Sequence, residues 1–212
     1  NYTDSELAYL IRTGIAKDGS LMSYMQRPNL ADVDLAAIIA FLHSDDPLVQ
    51  ASKTEPPTTH YTAIGKFGIN HFPGPLKYPA EPVKKPDIKV WKAGYGKYLV
   101  DNLSCYHCHS KSFTSVNELE PEKSKRYMGG GNKLKDGTGK IVLSANVTFD
   151  METGIGSWNE TDFKKALKGG ISKDGSSLHF LMPRYTELSD EDISAIYVYL
   201  SAVPKIKHKV KQ

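Results

Sequence analysis

Apolar residues recur at helical spacing in several separate stretches of the chain. Leu7, Leu10 and Ile11 mark one face of a helix over residues 4–12, closed by Gly14. Leu35, Ile38, Ile39 and Leu42 mark a second, which opens at Asp32 and Asp34 and is ended by Pro47. Residues 91–102 form a third candidate, with Tyr95, Tyr98 and Leu99 on one face; residues 160–168 form a fourth, closed by Gly169 and Gly170. The last has the fullest start signal. Ser189 precedes Asp190, Glu191 and Asp192, acids that suit the positive end of a helix dipole, and Ile193, Ile196, Tyr197 and Leu200 follow before Pro204 stops it.

Part of this pattern is written twice. Gly14-Ile15-Ala16-Lys17-Asp18-Gly19-Ser20 and Gly170-Ile171-Ser172-Lys173-Asp174-Gly175-Ser176 differ at one position only. Each follows a short helix and leads to a methionine with an arginine close behind (Met25, Arg27; Met182, Arg184), then to an Asp-x-Asp helix start. The shared layout is helix, Gly-rich turn, Met loop, helix. Between the copies, residues 54–86 carry Pro56, Pro57, Pro73, Pro75, Pro79, Pro82 and Pro86, which resist helix and central strand alike and predict an extended connector packed over a surface. Residues 111–153, rich in Gly and polar groups, predict loops, and loops this long in a small domain tend to wrap something.

Composition sets limits. The 212 residues, 40% hydrophobic and 24% charged, suit a water-soluble globular chain of one domain or two small ones and exclude a largely disordered protein. No apolar run approaches the ~18 residues that cross a bilayer, so no transmembrane segment is expected. A net charge of +3 is too small to argue for nucleic acid. Lys205, Lys207, Lys209 and Lys211 alternate along a basic tail, expected to be a solvated end that steers an acidic redox partner if it lies near a redox centre. The chain starts at Asn1 with no basic and apolar leader, which fits a processed product or a piece of a longer chain.

The chemistry concentrates in Cys105-Tyr106-His107-Cys108-His109, which holds both cysteines of the chain. This C-x-x-C-H run is the attachment signature of a c-type haem. On one helical turn the two sulfurs face a single porphyrin edge and bond to its vinyl groups, and the following histidine directs an imidazole nitrogen at the iron. Two other chemistries share the bare motif. A thioredoxin-like redox disulfide wants βαβ alternation, which the flanks lack; a zinc site wants four ligands, and only His107 and His109 stand near the thiols. A sixth ligand for an electron-carrying iron is Met or His. Met22, Met128 and Met151 stand in no distinctive context, whereas Met182 follows the Lys-Asp-Gly-Ser turn and precedes Pro183, which stiffens its loop. The rival is His179, which gives a bis-histidine site.

Taken in order, Cys105–His109, Gly129-Gly130, Ser144-Ala145-Asn146-Val147-Thr148, Gly154-Ile155-Gly156-Ser157-Trp158, Met182-Pro183 and Ser189-Asp190-Glu191-Asp192-Ile193 resemble a class I cytochrome c domain. The nearest likeness is to bacterial envelope di- and multihaem c-type cytochromes, including the cytochrome c subunits of alcohol dehydrogenases. Over residues 93–204 the resemblance implies an all-α fold, a cytochrome c-like domain wrapped round one haem c attached through Cys105 and Cys108. His109 and Met182 are then the axial ligands, with Asn146, Gly154, Ile155, Gly156 and Trp158 lining the pocket; Trp158 suits plain core packing equally.

Residues 2–42 resemble the second half of another such domain, with Met25 in the axial position if a second haem is present and Gln26 where the other copy has Pro183. The expected plan is a half-domain (1–50), a Pro-rich connector (51–90), a complete cytochrome c domain (91–204) and a basic tail (205–212). The implied function is that of an electron carrier rather than an enzyme. It moves single electrons between a redox protein donor and acceptor, a membrane-bound dehydrogenase or terminal oxidase among them, in the bacterial periplasm or on the envelope surface. The alternative is a dihaem peroxidase-like enzyme with an open iron position.

Overall fold

The structure is a computed structural model that describes residues 2–22, 26–50, 62–63, 67 and 75–210. The chain forms two compact units, Asn1–Lys85 and Pro86–Gln212.

The first unit is built on α1 (Asp4–Thr13) and α2 (Asp32–Leu42). Thr3 opens α1 with a capping box: its hydroxyl accepts from the Glu6 N–H (3.3 Å), and the Glu6 carboxylate accepts from the Thr3 N–H (2.8 Å). Gly14, at φ +78°, closes the helix in the left-handed region. Arg12 is buried between the helices; it bonds the Asp32 carboxylate and the Pro28 carbonyl (3.0 Å), and its guanidinium lies 5.6 Å from the centre of the Tyr78 ring. Residues 75–85 lie back over this pair of helices, because the Asp32 N–H donates to Val83 (2.9 Å) and Lys85 pairs with Asp34 (3.0 Å). Pro56, Pro57 and Pro73 of the expected connector lie outside the described residues, as does Met25.

The second unit holds α3 (Lys92–Asn102), α4 (Cys105–His109), α5 (Glu160–Lys164) and α6 (Asp190–Ala202). Asn159 and Ser189 supply capping boxes to α5 and α6, with Asp162 and Asp192 as their partners. Helices α3 and α6 cross backbone to backbone. A Cβ on Gly96 would lie 2.0 Å from the Ala195 carbonyl oxygen, so only glycine permits the approach. Around this crossing Val100, Tyr106, Met128, Phe163, Ile193 and Ile196 form one buried core.

Three features differ from the sequence expectation. The helix over 160–168 is α5 followed by a turn of π-helix, Lys165–Gly169, ending at Gly170 with φ +66°. Within the expected loops lies an antiparallel hairpin, β1 (Lys133–Lys135) and β2 (Ile141–Leu143), so the fold is mostly rather than wholly helical. Its turn closes because the Asp136 carboxylate accepts from the N–H groups of Thr138 and Lys140, both at 2.9 Å. Finally, residues 203–210 are not a solvated end: Ile206, His208 and Val210 are half-buried while Lys205, Lys207 and Lys209 alternate outward. Lys211 lies outside the described residues.

The sequence repeat is also a structural one. The N–H of Ala16 donates to Ser20 and that of Ser172 to Ser176, both at 2.8 Å; Met22 donates to Gly14 and Leu178 to Gly170, both at 2.7 Å. The Asp18 and Asp174 carboxylates accept from the Ser20 and Ser176 hydroxyls at the same 2.6 Å. Even the Arg12 and Asp32 pair has its counterpart in Lys168 and Asp190 (3.3 Å). No helix among the described residues is long and apolar enough to cross a membrane.

Candidate functional site

The C-x-x-C-H run is α4, a single turn that follows α3 after a sharp change of direction. Ser104 makes that change with φ +57°, a left-handed conformation that costs an L-residue roughly 1–2 kcal/mol. The turn places two free thiols, Cys105 and Cys108, three residues apart on one face. Burial pushes the Cys105 thiol up to about 12 and raises that of Cys108 as well, so both are neutral thiols rather than thiolates.

His109 is oriented by the backbone. Its Nδ1 lies 2.8 Å from the Ala145 carbonyl oxygen, which fixes the Nδ1–H tautomer and leaves Nε2 with its lone pair. Burial holds the imidazole below its ordinary pKa range, against the opposing pull of the Ala145 hydrogen bond, and so favours the neutral ring that ligates metals. Gly130 completes the frame, because its N–H donates to the His109 carbonyl (2.8 Å).

The two intervening residues of the run are held by one carboxylate. Glu118, itself buried, accepts from the Tyr106 hydroxyl (2.5 Å) and contacts His107 Nε2 at 2.7 Å, while the His107 carbonyl accepts from the Asn132 amide (2.9 Å). His107 is therefore engaged away from the thiols. Among the described residues no three His, Cys, Asp or Glu side chains are arranged to hold a metal ion by themselves, so the zinc reading lacks its donor set.

Met182 is half-buried in a loop pinned at several points. Its N–H donates to His179 (2.9 Å), and Arg184 donates to the carbonyls of Met182 (2.7 Å) and Leu178 (3.0 Å). Tyr185, just beyond, donates its N–H to Leu167 (2.9 Å) and lies within electrostatic reach of both cysteines; burial first, then Cys105 and Cys108, raise its phenol. Tyr185, which follows the Met loop, and Cys105 pack against the same core. His179 is committed elsewhere: Nδ1 accepts from the Leu181 N–H (3.3 Å) and Nε2 faces the Asp136 carboxylate at 3.8 Å.

The remaining residues expected at the site form a tight loop. A Cβ would meet the Thr148 carbonyl oxygen at 2.1 Å from Gly154 and the Phe149 carbonyl oxygen at 2.5 Å from Gly156. Ile155 is buried, and its carbonyl accepts from the Trp158 N–H (2.9 Å); Trp158 packs on the core and its own carbonyl accepts from the Tyr197 hydroxyl (2.9 Å). Asn146 is buried but turned to the chain itself: its amide donates to Ile206 (2.7 Å), and its oxygen accepts from the Thr148 N–H (3.0 Å) and hydroxyl (2.7 Å).

Sequence reasoning placed Ala145 and Thr148 in the resembling motif without a role for either, and did not find Glu118. Ala145 acts through a carbonyl that every residue has, and Glu118 is a lone acid in a polar stretch, so neither leaves a local signal. The donor set fits haem c: paired free thiols on one turn, and a neutral imidazole with one nitrogen fixed and the other available.

No protein-family model matches the chain. Individual relatives do. It is 36% identical over 106 residues to the gluconate 2-dehydrogenase cytochrome c subunit of Pantoea cypripedii, covering 49% of this chain and 21% of that protein. It is 26% identical over 221 aligned residues to the cytochrome c subunit of the alcohol dehydrogenase (quinone) of Gluconacetobacter polyoxogenes, covering 97% of this chain and 45% of that one. A diheme cytochrome c-type protein of Cereibacter sphaeroides is 24% identical over 115 residues, 53% of this chain and 36% of its own length. The chain therefore spans less than half the length of these relatives. With the thiol pair, the oriented histidine and these relatives together, the chain carries a cytochrome c domain similar to those of multihaem c-type cytochromes, with covalent haem c as its cofactor.

Proposed function

We propose that the second unit carries single electrons between redox proteins of the bacterial envelope through one haem c attached at Cys105 and Cys108, with His109 and Met182 as axial ligands. The observation that carries this reading is the His109 imidazole, tied through Nδ1 to Ala145 on the same turn that presents both thiols. The haem supplies one-electron chemistry at iron; the chain's own residues hold the ring, fix the imidazole and stiffen the Met loop. Met182 is favoured over His179 because both nitrogens of His179 face other partners. A dehydrogenase, in its membrane-bound form, is the favoured partner; the relatives are named as cytochrome c subunits of dehydrogenases, and attachment to a membrane is part of the proposal.

The first unit reads as the second half of another cytochrome c domain. On α2, Ile38 and Leu42 are 40% and 41% exposed, whereas their counterparts on α6, Ile196 and Leu200, are 2% and 4% exposed beneath α3. A first half carrying a helix equivalent to α3 would cover that face, with Met25 as axial ligand to a second haem.

The test is ligand access and turnover in the holoprotein. The expected result is a weak far-red sulfur-to-iron band in the oxidised state, no ready binding of carbon monoxide in the reduced state, and rapid electron exchange with one-electron reagents. Rapid carbon monoxide binding with peroxide turnover would replace the carrier by an enzyme with an open iron position.

A further inference from the structure

The C-terminal segment does more than cover the domain. Residues 203–210 run in extended form, with Val203 buried, Ile206, His208 and Val210 turned in and the lysines between them turned out. The inward side is bonded to one loop: Ile206 N–H to the Thr148 hydroxyl (3.1 Å), Asn146 amide to the Ile206 carbonyl (2.7 Å), and His208 N–H to the Thr153 hydroxyl (2.9 Å). It is bonded to a second loop through His208 Nδ1, 2.9 Å from the Gly129 carbonyl. The fit there is close, since a Cβ on Gly131 would lie 2.7 Å from His208 Cε1. Lys207 fastens the outer side to Glu152 (2.6 Å).

These are the two loops that orient His109. The 129–131 loop gives the Gly130 N–H to the His109 carbonyl, and residue 145, next to Asn146, gives its carbonyl to His109 Nδ1. The loops are tied to each other by the Gly131 N–H on Ser144 (2.8 Å) and the Val147 N–H on Met128 (2.9 Å). Histidine, paired loops and C-terminal segment are three layers in hydrogen-bonded series.

We propose that residues 203–210 are a strap that positions the His109 imidazole, with His208 as the positioning residue that locks the two loops and so sets how strongly Ala145 accepts from His109 Nδ1. A firm Nδ1–H bond makes the imidazole a stronger donor and favours the ferric state, so loosening the strap shifts the balance toward ferrous. This inference rests on the His109-ligated haem c of the proposed function.

The test uses the full chain with haem content checked first, and compares His208→Ala, His208→Asn and a chain ending at Pro204. Asn places an amide nitrogen where His208 Nδ1 stands. Two quantities are read: amide hydrogen exchange at Gly131 and Val147, and the haem reduction potential. In His208→Ala and the shortened chain, exchange at both amides rises at least tenfold and the redox equilibrium moves about threefold toward the reduced form; His208→Asn restores both. A potential equal to wild type in His208→Ala and the shortened chain overturns the proposal, whatever the exchange shows, because the strap is then only a cover. A shift that His208→Asn fails to restore also overturns it. A wild-type chain without covalent haem defeats the parent reading instead, and the haem assay identifies that case separately.

Discussion

Gly130 and Ala145 approach so closely that a Cβ on Gly130 would lie 2.4 Å from the Ala145 carbonyl oxygen, the atom that accepts from His109. The contact is backbone to backbone, so neither side can give by a rotamer change. Gly130 also has φ +66°. Gly130→Ala therefore combines left-handed strain with overpacking and is expected to destabilise the second unit by roughly 2–5 kcal/mol. Thermal unfolding of the holoprotein checks this; unfolding unchanged from wild type would show that the loop yields freely.

Gly96 offers a second steric test, at the crossing of α3 and α6. Gly96→Ala must separate the helices, since the nearest obstacle is the Ala195 carbonyl. The expected loss is about 1–3 kcal/mol, read as a lower denaturant midpoint for the second unit.

Met182→Leu keeps the size and apolar character of the side chain and removes the thioether. The oxidised far-red band is expected to vanish and the reduced protein to bind carbon monoxide, while His179→Ala leaves both properties as in wild type. A reversed pattern would assign the sixth position to His179.

Asp101 gives a pH signature. Burial raises its carboxyl to about 6, against the opposing pull of Lys97, whose Nζ lies 2.6 Å away; the neighbouring Glu122 adds to the rise. The folded state thus holds this proton more tightly than the unfolded state does. Asp101 therefore favours folding at low pH, and that contribution is lost as pH rises from the ordinary carboxylate value toward about 6. Asp101→Asn removes the titration, so its stability relative to wild type is expected to improve across that window, by an amount on the order of 1–3 kcal/mol. A pH-independent difference between the two proteins would rule this group out.

What could be read from the sequence divides along physical lines. The repeat was legible because its turn depends on side chains at fixed positions: Asp18 and Asp174 bind the serine two residues on, and Gly19 and Gly175 take φ +80° and +85°. The helix starts were legible because capping is local. Local chemistry likewise made the attachment turn readable. The frame around His109 was not, because Ala145 works through its backbone and the Asn146 partner lies at Ile206, far along the chain. The tail is ambiguous in the sequence for a related reason. Alternating lysines mark a solvated end and the outer side of an extended strap equally, and only the hydrogen bonds of Ile206 and His208 separate the two. The hairpin over β1 and β2 is three residues per strand, too short for an alternating pattern to stand out.

The central claim is that Cys105 and Cys108 hold a haem whose iron takes His109. Intact-mass spectrometry of this chain from a host competent in cytochrome c maturation, read with a pyridine haemochrome spectrum, tests it most directly. The expected result is the mass of the chain plus one haem, a haemochrome of the two-thioether type, and no thiol open to alkylation. The bare chain mass with both cysteines alkylated would contradict the account.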